Sequence, residues 1–270
     1  MKKIFYRFLI ELTNRKWLSL LLRKFTLSRW SRLLIRPYMK AYQIPDGGWE
    51  KPIEQYSSLH EFFIRKLEKG RRLITEDPGQ VISPVDGTVD ACGRIEEGLV
   101  LRVKGRVYSL EELVMDPALA GSFERGTYLV IYLSPADYHH FHSPVSGNIL
   151  RTWAIGNRSY PVNRFGHCYG KKILTSNYRR LFEIRHQQGH MIFIAIGAML
   201  VNSIAVVRGK GKIERGEELG YFSFGSTVVL LFREGEFRLH PSIRVSGKIR
   251  MGEPIGTLLP VSLGHLDSVR

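Results

Sequence analysis

Lys212-Ile213-Glu214-Arg215-Gly216-Glu217-Glu218-Leu219-Gly220-Tyr221-Phe222-Ser223-Phe224-Gly225-Ser226-Thr227 runs directly into Val228-Val229-Leu230-Leu231-Phe232. The first nine residues read as a strand, a tight glycine turn and a second strand. The last five are an unbroken apolar run bounded by Gly and Ser, which fits a buried strand. The hairpin has an echo in Lys248-Ile249-Arg250-Met251-Gly252-Glu253-Pro254-Ile255-Gly256. A second echo joins Ser83-Pro84-Val85-Asp86-Gly87-Thr88-Val89 to Ser143-Pro144-Val145-Ser146-Gly147-Asn148-Ile149. Two copies are too few for a solenoid.

Outward from these hairpins the chain continues as β. From about residue 80, short runs of Val, Ile, Tyr, Leu and Phe alternate with Gly and Pro, as in Thr127–Leu133, Met191–Ile196, Ser203–Val207 and Thr227–Phe232. Helical signals are confined to Leu59–Leu67 and Leu110–Leu113 in this body. No βαβ rhythm is present, so a doubly wound sheet is not expected. The fold class expected is α+β, mainly β: a compact antiparallel β-sandwich or barrel-like core with lipoyl-domain-like hairpins, preceded by N-terminal amphipathic helices.

The 270 residues suffice for one large domain, and 44% hydrophobic with 24% charged residues is an ordinary globular balance. Cys92 and Cys168 cannot form a disulfide framework or a four-cysteine zinc site, and they suit a reducing compartment. The charge is uneven. Residues 1–40 hold eleven Lys and Arg against one acid, Glu11, within a chain of net charge +15. Apolar residues recur there at helical spacing: Ile4, Phe5, Phe8, Leu9 and Leu12, then Trp17, Leu18, Leu21, Leu22 and Phe25, then Trp30, Leu33 and Leu34 before Pro37. Basic side chains opposite Trp, Phe and Leu are what an interfacial helix needs. The organisation expected is therefore a membrane-associating arm over 1–40 and a separate body over 41–270. The apolar stretches of the arm are too short to span a bilayer, and basic residues interrupt them too often for a signal peptide. Nucleic acid is the weaker partner for this arm, because its aromatics share the apolar stripe instead of forming a platform. Met191–Val207 is mostly apolar, but Gly197, Asn202 and Ser203 interrupt it, and it reads as two buried strands around a turn.

The densest polar cluster is Ser134-Pro135-Ala136-Asp137-Tyr138-His139-His140-Phe141-His142-Ser143-Pro144. Ser134 before Pro135 is a good helix start, and in a helix His139 and His142 would share a face. In an extended segment His140 and His142 would do so instead. A metal site, a catalytic base and a His-rich surface turn are all open on these residues alone. Asp86 sits in an Asp-Gly turn and could orient an imidazole. Ser226 follows Gly225, whose missing side chain permits unusual φ/ψ and leaves room for a serine to attack its own preceding carbonyl. Asp, His and Ser can form a nucleophilic triad on any fold.

Three motifs then carry a resemblance: Ser-Pro-Val-Asp-Gly at 83–87, Asp-Tyr-His-His-Phe-His-Ser-Pro at 137–144 and Gly-Tyr-Phe-Ser-Phe-Gly-Ser-Thr at 220–227, supported by Lys-Gly-Arg-Val-Tyr-Ser-Leu at 104–110. Over most of residues 50–260 the chain resembles the pyruvoyl-dependent, self-cleaving phosphatidylserine decarboxylases of the prokaryotic type. The resemblance implies a proenzyme in which Asp86 and His142 activate Ser226. Ser226 would attack the Gly225 carbonyl, cutting the chain into 1–225 and 226–270 and leaving a covalent pyruvoyl cofactor in place of Ser226. It further implies a Schiff base between that group and phosphatidylserine, loss of carbon dioxide, proton donation by His139 and release of phosphatidylethanolamine. No metal is implied. The partners implied are phosphatidylserine, an anionic membrane surface and the two cleavage products as a heterodimer, with a higher homo-oligomer compatible and no nucleic acid. The place implied is the cytoplasmic face of the cell membrane, as a peripheral protein. Three departures stand out: Phe224 where leucine is commoner, His140 where arginine is common, and Tyr178 in Asn177-Tyr178-Arg179 where many members have glutamate.

Two rival readings remain from the residues themselves. A lysostaphin-like zinc peptidase would use His140 and His142 as its His-x-His pair, but it needs an upstream His followed by Asp, and His60 has no Asp at that spacing. A non-catalytic basic module for membrane or nucleic acid accounts for the arm and leaves the Asp, His, Ser order unexplained.

Overall fold

A computed structural model describes residues 16–158, 160, 172–198, 204–223 and 225–260. Sixteen strands are found among the described residues: β1 Gln80–Ile82, β2 Gly87–Arg94, β3 Val100–Val103, β4 Arg106–Ser109, β5 Thr127–Leu133, β6 His140–His142, β7 Gly147–Ile155, β8 Arg179–His186, β9 Gly189–Gly197, β10 Ile204–Val206, β11 Gly211–Ile213, β12 Glu218–Phe222, β13 Ser226–Phe232, β14 Phe237–Leu239, β15 Lys248–Ile249 and β16 Pro254–Leu258. Eight form one antiparallel sheet in the order β11-β7-β8-β9-β13-β5-β2-β15. Two three-stranded sheets, β1-β16-β14 and β10-β12-β6, and the β3-β4 hairpin complete the set. The large sheet ends in two edges, so the core is a sandwich and not a closed barrel.

The apolar run Val228–Phe232 is central because both of its faces are covered. Val228, Leu230 and Phe232 pack with Phe141, Leu219, Phe222, Ile255 and Leu258 of the two small sheets. Val229 and Leu231 point the other way, into Leu101, Val103 and Tyr108 of the β3-β4 hairpin and Leu113 and Phe123 beyond it. This is the period-two alternation of a strand buried on both sides, where no polar face interrupts the sequence. The short helices on that second face are capped by side chains: Ser109 accepts from Glu112 N–H, and Asp116 accepts from Leu119 N–H with Pro117 at the first helical position.

The two sequence echoes are one pseudo-two-fold. Ser83 Oγ donates to the Val85 carbonyl at 2.7 Å, and Ser143 Oγ to the Val145 carbonyl at 2.6 Å. Ser83 N–H donates to Glu253 O as Ser143 N–H does to Glu217 O, and Gly252 N–H to Ser83 O as Gly216 N–H to Ser143 O. Lys248 pairs with Thr88 as Lys212 pairs with Asn148. Even the register shifts match, one between Val89 and Ala91 and one between Ile149 and Arg151. The axis runs between β9 and β13, so the large sheet reads alike from either edge. The Asp, His and Ser singled out in the sequence are not repeated in the other half. Asp86 corresponds to Ser146 and His142 to Ile82. Ser226, paired with Leu133, corresponds to Gly189, paired with His186.

At the N-terminal end a helix Lys16–Leu27 leads through a 3-10 turn, Arg29–Leu34, into a helix Ile35–Tyr42. Ile35 and Met39 pack on Ile44, Ile53, Tyr56 and Phe62 of the body. Leu21, Phe25, Leu27, Trp30 and Leu33 are exposed, Trp30 at 78% and Leu33 at 74%. The predicted apolar positions Ile4 to Leu12 lie outside the described residues, as does Cys168; Cys92 is a half-buried free thiol. Among the described residues no helix is long and apolar enough to cross a membrane. Met191–Val207 contains two strands, β9 and β10, but β10 pairs with β12 in a small sheet and not with β9; residues 199–203 lie outside the described set.

Candidate active site

The three motifs meet through backbone hydrogen bonds. His142 N–H donates to Pro84 O at 2.9 Å, and Ile82 N–H donates back to Pro144 O. Phe222 N–H donates to His139 O at 2.9 Å, and β12 pairs with β6 so that Tyr221 faces His140. The His-rich segment is extended from His140 to His142, not helical. A turn replaces the predicted helix start: Asp137 Oδ2 accepts from both Ser134 N–H and Oγ–H at 2.7 Å, and buried Arg65 donates to the Ala136 carbonyl, which a helix would use itself. As expected of an extended segment, His140 and His142 share a face, stacked on Tyr138; Phe141 points into the core.

Ser226 opens β13, fully buried, and its hydroxyl has no hydrogen-bond partner among the described residues. Gly225 has φ +30°, a conformation that strains any side chain. His142 is buried, with Nδ1 at 2.9 Å from Gly216 O and Nε2 at 3.2 Å from Tyr138 Oη. A carbonyl can only accept, so Nδ1 carries the proton and Nε2 accepts from the tyrosine. Burial lowers the His142 pKa to about 4, against the opposing pull of the Gly216 carbonyl. Asp86 is held by Arg72 through Oδ2 and by Met251 N–H at 2.8 Å through Oδ1. Burial raises its pKa, with the Met251 bond and the Arg72 charge pulling the other way. The structure thus brings the Asp86 and His142 backbones together but gives their side chains different partners, and no hydrogen bond joins either to Ser226.

His139 is fully buried, its ring 3.9 Å from that of Phe63. Neither ring nitrogen makes a hydrogen bond of ordinary geometry among the described residues. Burial, then the nearby Arg65 charge, keep its pKa well below the usual histidine range, opposed by the Asp137 backbone. It is a neutral imidazole.

Arg65, Arg72 and Tyr138 were missed as site residues. Arg65 and Arg72 belong to the run Arg65-Lys66-Leu67-Glu68-Lys69-Gly70-Arg71-Arg72, whose charge density suggests a solvated face. Yet Arg65 is buried at 1% exposure, over the rings of Trp49 and Phe62 at 4.3 and 4.9 Å. Only the Asp-Tyr-His adjacency signalled Tyr138. His140 Nδ1 lies 2.7 Å from Glu218 Oε1 and Nε2 lies 2.9 Å from Ile64 O. Both nitrogens face acceptors, a pair of oxygens that an arginine could also reach. With its nitrogens so engaged His140 is no partner for His142 in a zinc site, and among the described residues no three His, Cys, Asp or Glu side chains group as metal ligands.

A family model described as phosphatidylserine decarboxylase matches residues 59–257, a span that contains all three motifs. The chain belongs to the phosphatidylserine decarboxylase family. It is 43% identical over 258 residues to the phosphatidylserine decarboxylase proenzyme of Anoxybacillus flavithermus, covering 96% of this chain and 97% of that protein. It is 42% identical over 259 residues to the proenzymes of Bacillus thuringiensis subsp. konkukian and Bacillus cereus AH187, covering 96% of this chain and 99% of each. As a phosphatidylserine decarboxylase family member the chain departs at three places. Phe224 lies outside the described residues. His140 keeps the two contacts just given. Tyr178 is partly buried against the main core, while its neighbours Asn177 and Arg179 are fully buried.

Proposed function

We propose that this chain cuts itself between Gly225 and Ser226 and then decarboxylates phosphatidylserine to phosphatidylethanolamine. The observation that carries the reading is Ser226 itself: a buried hydroxyl with no partner among the described residues, directly after a glycine of positive φ, in a family whose named relatives are proenzymes. In the first step Ser226 Oγ bonds to the Gly225 carbonyl carbon and gives up its proton to His142 Nε2, the ring nitrogen without one, once the Tyr138 hydroxyl that it accepts from turns away. The Gly225–Ser226 C–N bond breaks, the Ser226 nitrogen takes a proton, and an ester replaces the amide. Removal of the Ser226 Cα proton then breaks the Cβ–Oγ bond, leaving a carboxylate on Gly225. Tautomerisation and addition of water release ammonia and leave a ketone. Asp86, held by Arg72 and by Met251 N–H, is the second group assigned to the activation of Ser226.

Ser226 fits the origin of a pyruvoyl group, since its hydroxyl is held by nothing that would have to be broken. Such a group supplies an electrophilic carbonyl to take up the electrons that carbon dioxide leaves behind. His139, buried against Phe63, would deliver the proton to the carbon after taking it up during the reaction. The domain boundary proposed is at residue 40. The basic arm 1–40 sets the body on the cytoplasmic face of an anionic membrane, where each Lys or Arg near the surface contributes about 1 kcal/mol, and 1–225 stays bound to 226–270 as a heterodimer.

Intact-mass measurement of freshly made protein tests this. Two chains ending at Gly225 and starting at a blocked residue 226 are expected, with conversion of phosphatidylserine vesicles to phosphatidylethanolamine. Ser226→Ala should give one whole, inactive chain. Two chains from that variant would remove Ser226 as nucleophile.

A further inference from the structure

We infer that the backbone N–H of Ala198 is the oxyanion donor for self-cleavage, aimed and polarised by the side chain of Asn177; this rests on the cleavage site proposed above. The carbonyl that Ser226 must attack is that of Gly225. It already accepts a hydrogen bond from Ala198 N–H at 2.8 Å. When Oγ adds, the carbonyl oxygen takes the negative charge, and a donor at 2.7–3.1 Å in a dry site strengthens as that charge grows. The flanks of that carbonyl are buried, Ser226 at 0% exposure and Ala198 at 1%, with Gly225 itself half-buried. The bond lies one step beyond the β9-β13 pairing of Gly197 with Ser226. It survives although Gly225, at φ +30°, has left strand geometry. The approach is close enough that a Cβ on residue 225 would lie 3.3 Å from Ala198 Cβ.

The same peptide unit is gripped from its other end. Asn177 Nδ2 donates to Gly197 O at 2.9 Å, and Gly197 C=O and Ala198 N–H belong to one planar trans peptide. Fixing the carbonyl therefore fixes the direction of the N–H, which points to the opposite side. Donation into the carbonyl also draws electrons away from the N–H and makes it a better donor. Asn177 is itself locked. It is fully buried, its Nδ2 also donates to Tyr160 O at 2.7 Å, and its Oδ1 accepts from Tyr160 N–H at 2.9 Å. Arg179, two residues on, donates to the Asn177 carbonyl at 3.1 Å and to the carbonyls of Glu112 and Leu113. In this arrangement Ala198 is a catalytic residue through its backbone, and Asn177 is a positioning residue that acts through it.

The test replaces the amide at 198 by an ester, with L-lactic acid in place of Ala198 in the full chain made by cell-free synthesis. The N–H is replaced by an ester oxygen. Hydroxylamine cleaves both this built-in ester and the ester formed at Gly225, and intact mass separates them: a fragment 1–225 reports the first step apart from elimination, a fragment 1–197 only the built-in ester. The acyl shift should slow by about 10²–10³-fold, with the near-ultraviolet spectrum of the folded chain unchanged. Asn177→Asp, which cannot donate to Gly197 O, should slow the same step at least tenfold, measured on folded protein. A purely structural Asn177 would instead lower the melting temperature and leave the acyl shift of the folded fraction alone. A wild-type chain that cleaves at Gly225–Ser226, beside an ester or Asn177→Asp chain within twofold of its rate, overturns this inference while sparing the cleavage site. A wild-type chain that stays whole overturns both.

Discussion

His142 shows how burial alone sets a base. With a pKa of about 4 its Nε2 is free of a proton at neutral pH, without help from a carboxylate. The rate of self-cleavage in folded protein should therefore stay flat from pH 8 to about 5.5 and fall only toward 4. A half-maximal rate near 6.5 would show an ordinary solvated histidine and sink the assignment. Stability moves with the same sign. The unfolded chain takes up a proton near 6.5 and the folded chain not until about 4. The contribution of the neutral ring is complete above 6.5 and drains as pH falls through that window. His186, also lowered to about 4 by burial, adds to it. Urea midpoints should accordingly be lower at pH 5 than at pH 7.5.

Among the elements, the helix Lys16–Leu27 and the turn after it gather the densest run of large apolar groups left in water; Leu73, Met115, Val207 and Val245 are exposed too, but far apart along the chain. Trp30, Leu33, Phe25 and Leu21 are exposed next to Arg23, Arg29 and Arg32. Exposed apolar surface of this kind marks a contact with something else, and basic flanks match an anionic bilayer. Replacing Trp30 and Leu33 by Ser should cut sedimentation with phosphatidylserine vesicles by tenfold or more and leave the melting temperature unmoved. The next helix behaves differently because Ile35 and Met39 are spent on the body. If the double variant melts lower and binds vesicles as before, the stripe belongs to the core instead.

For the whole molecule, the position of the proposed cut decides what the pieces would do. The segment after Ser226 supplies β13, which pairs with both β9 and β5 in the middle of the large sheet, together with β14, β15 and β16. Losing it would open the core along Val228, Leu230 and Phe232 on one face and Val229 and Leu231 on the other. Each such side chain contributes about 1.5–3 kcal/mol by burial. The chains 1–225 and 226–270 should therefore co-elute in native size exclusion and separate only in denaturant. Release of the small chain in plain buffer would contradict this sheet order.

Much of this was legible along the chain, because strands buried on both faces leave continuous apolar runs and because duplicated hairpins repeat the same Ser-Pro-Val and Gly-Glu signals. Residues 127–133 and 227–232 and the short helices at 59 and 110 all follow from local pattern, whereas the motifs that carry Asp86, His142 and Ser226 were tied together only by a family resemblance. The pairing of the echoes into a pseudo-two-fold needed the sheet, since each half of a hairpin bonds to a residue far away in sequence. So did the separation of β10 from β9, the burial of Arg65 in what reads as a charged surface run, and the grip of Arg72 on Asp86. The same holds for the Ala198 N–H on the Gly225 carbonyl. A backbone donor carries no residue code, so only tertiary packing could decide that one peptide unit among many lies against the bond to be cut.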